Sequence, residues 1–246
     1  MDSSAQTGIE TLDPAGTDFA ADEAGLSATI RTWDLRGARV LNVTVAFLGL
    51  VLAAPLMLLI AAVIKLTSRG PVFYTQTRIG LDTRTRDVPH EIARRRVRNY
   101  GGRPFTIIKF RTMRVDAEAQ SGAVWASQDD PRVTWIGKFL RQYRLDELPQ
   151  LINVIRGDMN VVGPRPERPA IFAKLREEVP HYHLRQRALP GITGHAQINQ
   201  EYDTSVESVR TKVAYDLEYI ERRGLLEDLK IMLRTIPVIL FRQGGW

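Results

Sequence analysis

Twenty-five residues without a charge, Val40 to Ile64 (VLNVTVAFLGLVLAAPLMLLIAAVI), constrain this chain more than any other feature. A buried helix in a soluble domain rarely needs such a run, and an amphipathic one carries a polar stripe, so the segment reads as membrane-inserted. As a straight helix it would measure about 37 Å, enough to cross a hydrocarbon core of about 30 Å. Pro55 falls just past the midpoint, where it removes a backbone donor and predicts a kink. Arg36 and Arg39 flank one end, Lys65 and Arg69 the other. Cations at both ends weaken the positive-inside signal for a crossing. A kinked re-entrant hairpin over residues 36–69 puts all four on the cytoplasmic side. A tilted span with the N-terminus outside is the alternative. A removable signal peptide fits poorly, because the run begins after 39 residues and exceeds a typical h-region.

Charge divides the rest of the 246 residues. Residues 1–30 hold six acids and no Lys or Arg, and show no apolar period, so residues 1–35 read as a disordered acidic tail. From residue 40 onward, 31 Lys+Arg face 21 Asp+Glu, which suits an anionic partner. Eleven cations and three acids fall within residues 71–114, with a basic insert at 81–100. So close to a membrane segment, these attract anionic headgroups at about 1 kcal/mol per cation. A solvated charged face is the plainer reading. No nucleic-acid module is recognisable, and aromatics are sparse among the arginines. The absence of cysteine excludes a disulfide scaffold, a Cys-based zinc site, an iron–sulfur cluster and a cysteine nucleophile.

Short β-prone pieces at Val72–Thr75 and Phe105–Lys109, helical periods within 132–156, and further helices over Ala170–Glu178 and Val206–Arg223 predict an α+β domain over 70–246, mostly helical with a small β element. The apolar end, LKIMLRTIPVILFRQGGW, suits either an interfacial helix with its cations outward or a core helix.

No phosphate-loop, dinucleotide-binding, zinc-protease or serine-hydrolase motif is present. His181 and His183 lack acidic neighbours at metal-ligand spacing. The informative pair is Asp146–Glu147 in YRLDELPQL. Asp146 suits an N-cap, with Glu147 complementing the helix dipole, a purely structural role. The same placement suits two carboxylates that share a divalent cation, or divide into ligand and nucleophile toward phosphorus. Arg165 and Arg168 sit in a rigid Gly-Pro loop, and arginine's planar fork matches phosphate oxygens. Lys109 and Arg111, in IIKFRTMR, share a strand face.

KFRTM, DPRVTWIGKFLRQYRLDELPQLINVIRGDMNVVGPRPERP, LPGITGHAQIN and YDLEYI, in this order, closely resemble the bacterial sugar transferases, the monotopic phosphoglycosyl transferases. The resemblance covers roughly residues 36–245. It implies a re-entrant helix inserted from the cytoplasmic face of the bacterial inner membrane. It also implies Mg²⁺-dependent transfer of a phosphosugar from a UDP-sugar to polyprenol (undecaprenyl) phosphate, with release of UMP, as the first step of a lipid-linked glycan. Carried onto this chain, it makes Asp146 the nucleophile and Glu147 its partner at the metal or as acid/base. Arg165 becomes a nucleotide or phosphate contact. Lys109, Arg111 and Asp216 match further polar positions, read here as substrate-binding. There are departures: Ala54 stands where Ser is common, His195 where Trp is common, and Gln200-Glu201 replaces Gly-Arg. The last two bear on donor recognition. A non-enzymatic membrane scaffold is the rival reading.

Overall fold

The computed structural model describes residues 32–82, 101–117, 130–200 and 205–240. Apart from their edges, the expected acidic tail and the basic insert at 81–100 lie outside the described residues. So do residues 241–246, the end of the apolar C-terminal segment.

The apolar run forms one unbroken helix, α1 (Thr32–Thr67), with Pro55 inside it. No turn divides it into the two helices of a hairpin. A proline deletes a single intrahelical hydrogen bond, and the ladder resumes on either side. Among the described residues, Arg36–Thr67 is the one stretch of helix long and apolar enough to cross a membrane.

Its packing is one-sided. Ala38, Asn42, Ala46, Ile60 and Ile64 are buried, with Gly49, Ala53 and Met57 half-covered between them. That spacing of three and four traces one helical face. On the other side Phe47, Leu48, Val51, Leu52, Leu58 and Leu59 are exposed, Leu52 by 81%. Both ends enter the core of the same domain. Ile60 and Ile64 pack with Phe110, Ile136 and Leu140; Ala46 packs with Ile107, Val154 and Met159. Residues Ala54, Pro55 and Leu56 between them are exposed.

Two strands follow, β1 (Phe73–Ile79) and β2 (Pro104–Phe110), paired antiparallel with Phe73 opposite Phe110 and Ile79 opposite Pro104. Then come α2 (Trp135–Gln142), α3 (Gln150–Arg156) and β3 (Asn160–Val162). Next are α4 (Pro169–Glu178), β4 (Gly191–Thr193) and α5 (His195–Asn199). The described chain ends with α6 (Val206–Arg222) and α7 (Leu225–Leu240). The largest core joins α4, α6 and α7 through Phe172, Leu175, Tyr182, Val213, Leu217, Ile220 and Ile231. Leu226, Leu229, Leu233 and Ile236 of α7 remain exposed, so the helix packs on the core along one side only.

Strands β3 and β4 pair in parallel, Asn160 with Gly191 and Val162 with Thr193. Gly163 donates to the Thr193 carbonyl at 2.9 Å, and Gly191 to the Pro164 carbonyl at 3.0 Å. A Cβ on Gly163 would overlap the Leu189 carbonyl, and one on Gly191 would overlap the Gly163 nitrogen. Gly163-Pro164 and Pro190-Gly191 are thus two sides of one backbone contact.

Polar side chains of α1 tie it to this centre. Arg39 donates to the Val154 carbonyl at 2.6 Å and, at 2.7 Å each, to the Met159 carbonyl and Asn160 Oδ1. Asn42 uses all four of its hydrogen-bonding positions. Its Oδ1 accepts from Val161 and Val162 amides at 2.7 and 3.0 Å, and its Nδ2 donates to the Ala38 carbonyl and to Asp228 Oδ2 at 2.7 and 2.6 Å. Tyr219 Oη donates to Asp228 Oδ1 at 2.8 Å. A lone amide within an uncharged run is the sequence signal for this hub, which motif reading passes over.

Burial pushes the Asp228 carboxyl up to about 6, against the two hydrogen bonds from Asn42 and Tyr219. Between pH 4 and 6 the folded protein therefore binds more protons at this site than the unfolded chain, and stability falls as pH rises through that window, by at most about 3 kcal/mol. Asp228→Asn keeps the shape and one acceptor oxygen but cannot titrate, and should flatten this slope in thermal melts of detergent-solubilised protein. An unchanged slope would assign it to other groups.

Candidate active site

The site is built at the corner between α2 and α3. Thr134 caps α2 by accepting from the Gly137 amide at 3.0 Å. Past the helix end, Arg144 takes a left-handed conformation (φ 53°), and a single 3₁₀ turn, Leu145–Glu147, leads into α3. Leu145 and Leu148 pack against the Ile60–Ile64 cluster, which leaves Asp146 and Glu147 on the other side of the turn.

The N-cap expected of Asp146 is not made. It lies within the 3₁₀ turn, Pro149 holds the cap position of α3, and neither helical start has a side-chain cap. Both acids are nonetheless buried, Asp146 at 8% exposure and Glu147 at 5%, so their charge must be met by cations. Lys109 Nζ at the end of β2 lies 2.8 Å from Glu147 Oε1 and 3.9 Å from Asp146 Oδ2. Arg165, in the loop after β3, places a guanidinium nitrogen 2.8 Å from the same Glu147 oxygen.

This arrangement separates the two carboxyls. Burial and the neighbouring Glu147 charge raise Asp146, with Lys109, Arg141 and Arg165 opposing. Burial acts on Glu147 too, but Arg165 and Lys109 overcome it and hold Glu147 well below the ordinary carboxylate range. Burial also pulls the Lys109 ammonium down, while Glu147 and Asp146 hold it up. The pair is thus a firmly ionised Glu147 beside an Asp146 of raised basicity, a stronger nucleophile once deprotonated. The charge state of Asp146 is thus set by burial against side-chain cations rather than by a helix N-terminus.

Of the candidate residues, Asp146, Glu147, Lys109 and Arg165 come together and two others do not join them directly. The strand ends at Phe110, so Arg111 turns away from Lys109 and the shared strand face is lost. Its guanidinium binds the Arg69 carbonyl and, at 3.0 and 2.8 Å, the carbonyl and hydroxyl of Ser68. It satisfies the carbonyl end of α1, a cation where the helix dipole favours one. Asp216 is buried at 1% exposure on α6 and pairs through Oδ2 with Arg185 Nε at 2.6 Å. His195 lies edge-on to Tyr215, ring centroids 5.5 Å apart, and 3.4 Å from Glu218.

No group of three or more acids or histidines converges among the described residues. Two adjacent carboxylates still suit Mg²⁺, which is commonly held by one or two carboxylates, with water and substrate phosphates completing its shell.

The bacterial sugar transferase family model matches residues 33–242, and the chain belongs to that family. It is 43% identical over 215 residues to a UDP-glucose:undecaprenyl-phosphate glucose-1-phosphate transferase of Caulobacter vibrioides, covering 87% of this chain and 73% of the relative. An Escherichia coli K12 protein of the same name is 41% identical, covering 79% of this chain and 38% of the relative. A UDP-N-acetylgalactosamine-undecaprenyl-phosphate N-acetylgalactosaminephosphotransferase of Aeromonas hydrophila is 38% identical, covering 84% and 44%. The chain thus spans less than half the length of the last two.

Lys109→Met should carry the Asp146 carboxyl further upward by removing its opposing cation. Carbodiimide, which reacts with protonated carboxyls, should then label Asp146 to higher pH than in the wild type, as read by peptide mass spectrometry. An unmoved labelling curve would show that Lys109 does not compensate the pair.

Proposed function

We propose that the protein is a phosphoglycosyl transferase that moves a sugar phosphate from a UDP-sugar to undecaprenyl phosphate and releases UMP. The observation that carries this reading is the buried Asp146–Glu147 pair held between Lys109 and Arg165, in a chain whose relatives are named for that reaction.

In the first step a deprotonated Asp146 oxygen attacks the donor's β-phosphorus. The bond from that phosphorus to the bridging oxygen breaks, UMP leaves, and the sugar phosphate remains on Asp146 as an acyl phosphate. In the second step a phosphate oxygen of undecaprenyl phosphate attacks the same phosphorus and displaces the carboxylate. The product is undecaprenyl diphosphate sugar, the first lipid-linked unit of a glycan. Lys109 and Arg165 offset the charge gathered when two phosphates meet at one carboxylate. Asp146 and Glu147, with donor phosphate oxygens and water, would hold Mg²⁺, which would supply further charge stabilisation when bound.

The acceptor's isoprenoid tail requires an interfacial enzyme. The exposed apolar side of α1 and that of α7 provide lipid-facing surface. Both ends of α1 pack on one domain while residues around Pro55 stand exposed. This supports a re-entrant placement of the continuous helix, bent at Pro55 so that its apex enters lipid and both ends stay at the cytoplasmic face of the inner membrane.

Asp146→Asn should reduce UMP release from UDP-sugar and undecaprenyl phosphate in Mg²⁺-containing nanodiscs by at least about 10³-fold. With donor alone, the wild type should gain one phosphosugar mass on the peptide bearing Asp146. Full activity in the mutant would remove the nucleophile, and no release with any donor sugar would favour a membrane scaffold. For topology, cysteines introduced separately at Thr29 and Lys174 should both resist an impermeant maleimide in intact cells and react after lysis. Labelling at Thr29 alone in intact cells would mean that α1 crosses the membrane.

A further inference from the structure

Arg165 is presented by a short arch whose backbone carbonyls are each held by a different donor. The Pro164 carbonyl accepts from the Gly191 amide at 3.0 Å, and that of Glu167 from the Ile79 amide at 3.0 Å. The Pro166 carbonyl accepts from Arg78 at 3.2 Å. The carbonyl of Arg165 itself accepts from Arg185 at 3.0 Å.

Arg185 is unlike the other donors. Its side chain is 1% exposed and its three nitrogens are committed in one plane. Nε donates to Asp216 Oδ2 at 2.6 Å, one terminal nitrogen to Tyr182 Oη at 2.8 Å, and the other to the Arg165 carbonyl. The guanidinium also lies 5.0 Å from the Tyr182 ring centroid, within cation–π range. Burial opposes its charge, but Asp216, Tyr182 and Glu167 more than offset that and raise its pKa. Beside it, Lys212 Nζ binds Glu167 Oε1 at 2.8 Å. A buried ion pair is weak evidence for stability, because desolvation cancels much of its attraction. Its rigid geometry is the stronger reason for its presence here.

We propose that Arg185, clamped by Asp216 and Tyr182, is a positioning residue that fixes the Arg165 peptide and so aims the Arg165 guanidinium at Glu147. Asp216 then serves the reaction from α6 through two intermediaries. The flanking prolines carry the constraint onward: each fixes its own φ and restricts the residue before it, so the arch moves as a unit. Releasing the Arg165 carbonyl lets the arch shift and takes from Glu147 one of the two cations that keep it ionised.

The inference rests on the proposed reaction, so the test pairs turnover with a readout that needs none. Wild type, Arg165→Met, Asp216→Asn, Tyr182→Phe and the double variant Arg165→Met/Asp216→Asn are compared in the same nanodiscs. Rates of UMP release are measured alongside the pH at which carbodiimide labels Glu147. Arg165→Met should raise that labelling pH and slow release on the order of 10- to 100-fold. Asp216→Asn should move both in the same direction, and Tyr182→Phe less far. The double variant should be no slower than Arg165→Met alone, because Asp216 acts through Arg165.

A folded Asp216→Asn protein with wild-type labelling of Glu147, or a double variant whose loss is the product of the single losses, would overturn the proposal. Should Asp216→Asn fail to fold, Tyr182→Phe and Arg185→Lys decide in its place. Both must raise the labelling pH, and an unmoved curve in both overturns the proposal. If the wild type releases no UMP with any donor, the proposed reaction fails, and the labelling series still judges the positioning role.

Discussion

Two carboxylates side by side and out of water repel each other and lose hydration, so neither charge survives without a cation delivered to it. Much of this fold meets that requirement at Asp146 and Glu147. Lys109 arrives from a strand 38 residues upstream, and Arg165 from a loop 18 residues downstream. The leucines on either side of the acids anchor the turn in the core beneath α1. The parallel contact between β3 and β4, made close by Gly163 and Gly191, sets the arch that carries Arg165. Both cations share Oε1 of Glu147, which leaves Asp146 the less compensated acid and the more basic one.

The long apolar helix α1 belongs to this arrangement rather than being joined to it by a linker. Arg39 and Asn42 hold the carbonyls and amides from Val154 to Val162, immediately before the arginine arch. Arg111, just past the end of the strand that carries Lys109, closes the other end of α1. Displacing the helix would therefore disturb β3 and, with it, the residues that compensate the acid pair. For the proposed reaction, whose acceptor resides in lipid, an apolar helix and a reactive corner that share one core hold the two in fixed register.

Several side chains have settings that local sequence does not reveal. Arg36 and Arg39 look alike as flanking cations, yet Arg39 is committed to backbone carbonyls of the catalytic domain. Lys109 and Arg111 look like neighbours on one strand face, but the strand ends between them. Asp146 looks like a cap, but Pro149 takes that place and the helix starts at Gln150. Asp216 carries no local mark of its partner and lies against Arg185. For Arg39, Arg111 and Asp216 residue type was informative and the partner was not, because the partner lies far away in sequence.

The residues alone determined the apolar helix, the strand pieces, most helix positions and the acid pair with its arginine loop, since periodicity, proline and glycine placement and motif order are local properties. The tertiary structure alone decided which cations meet Glu147, why Asp146 is the more basic acid, and that both ends of α1 return to one domain. Those outcomes depend on burial and on contacts between segments tens of residues apart, where Coulomb energy and desolvation nearly cancel and only the packed geometry settles the balance.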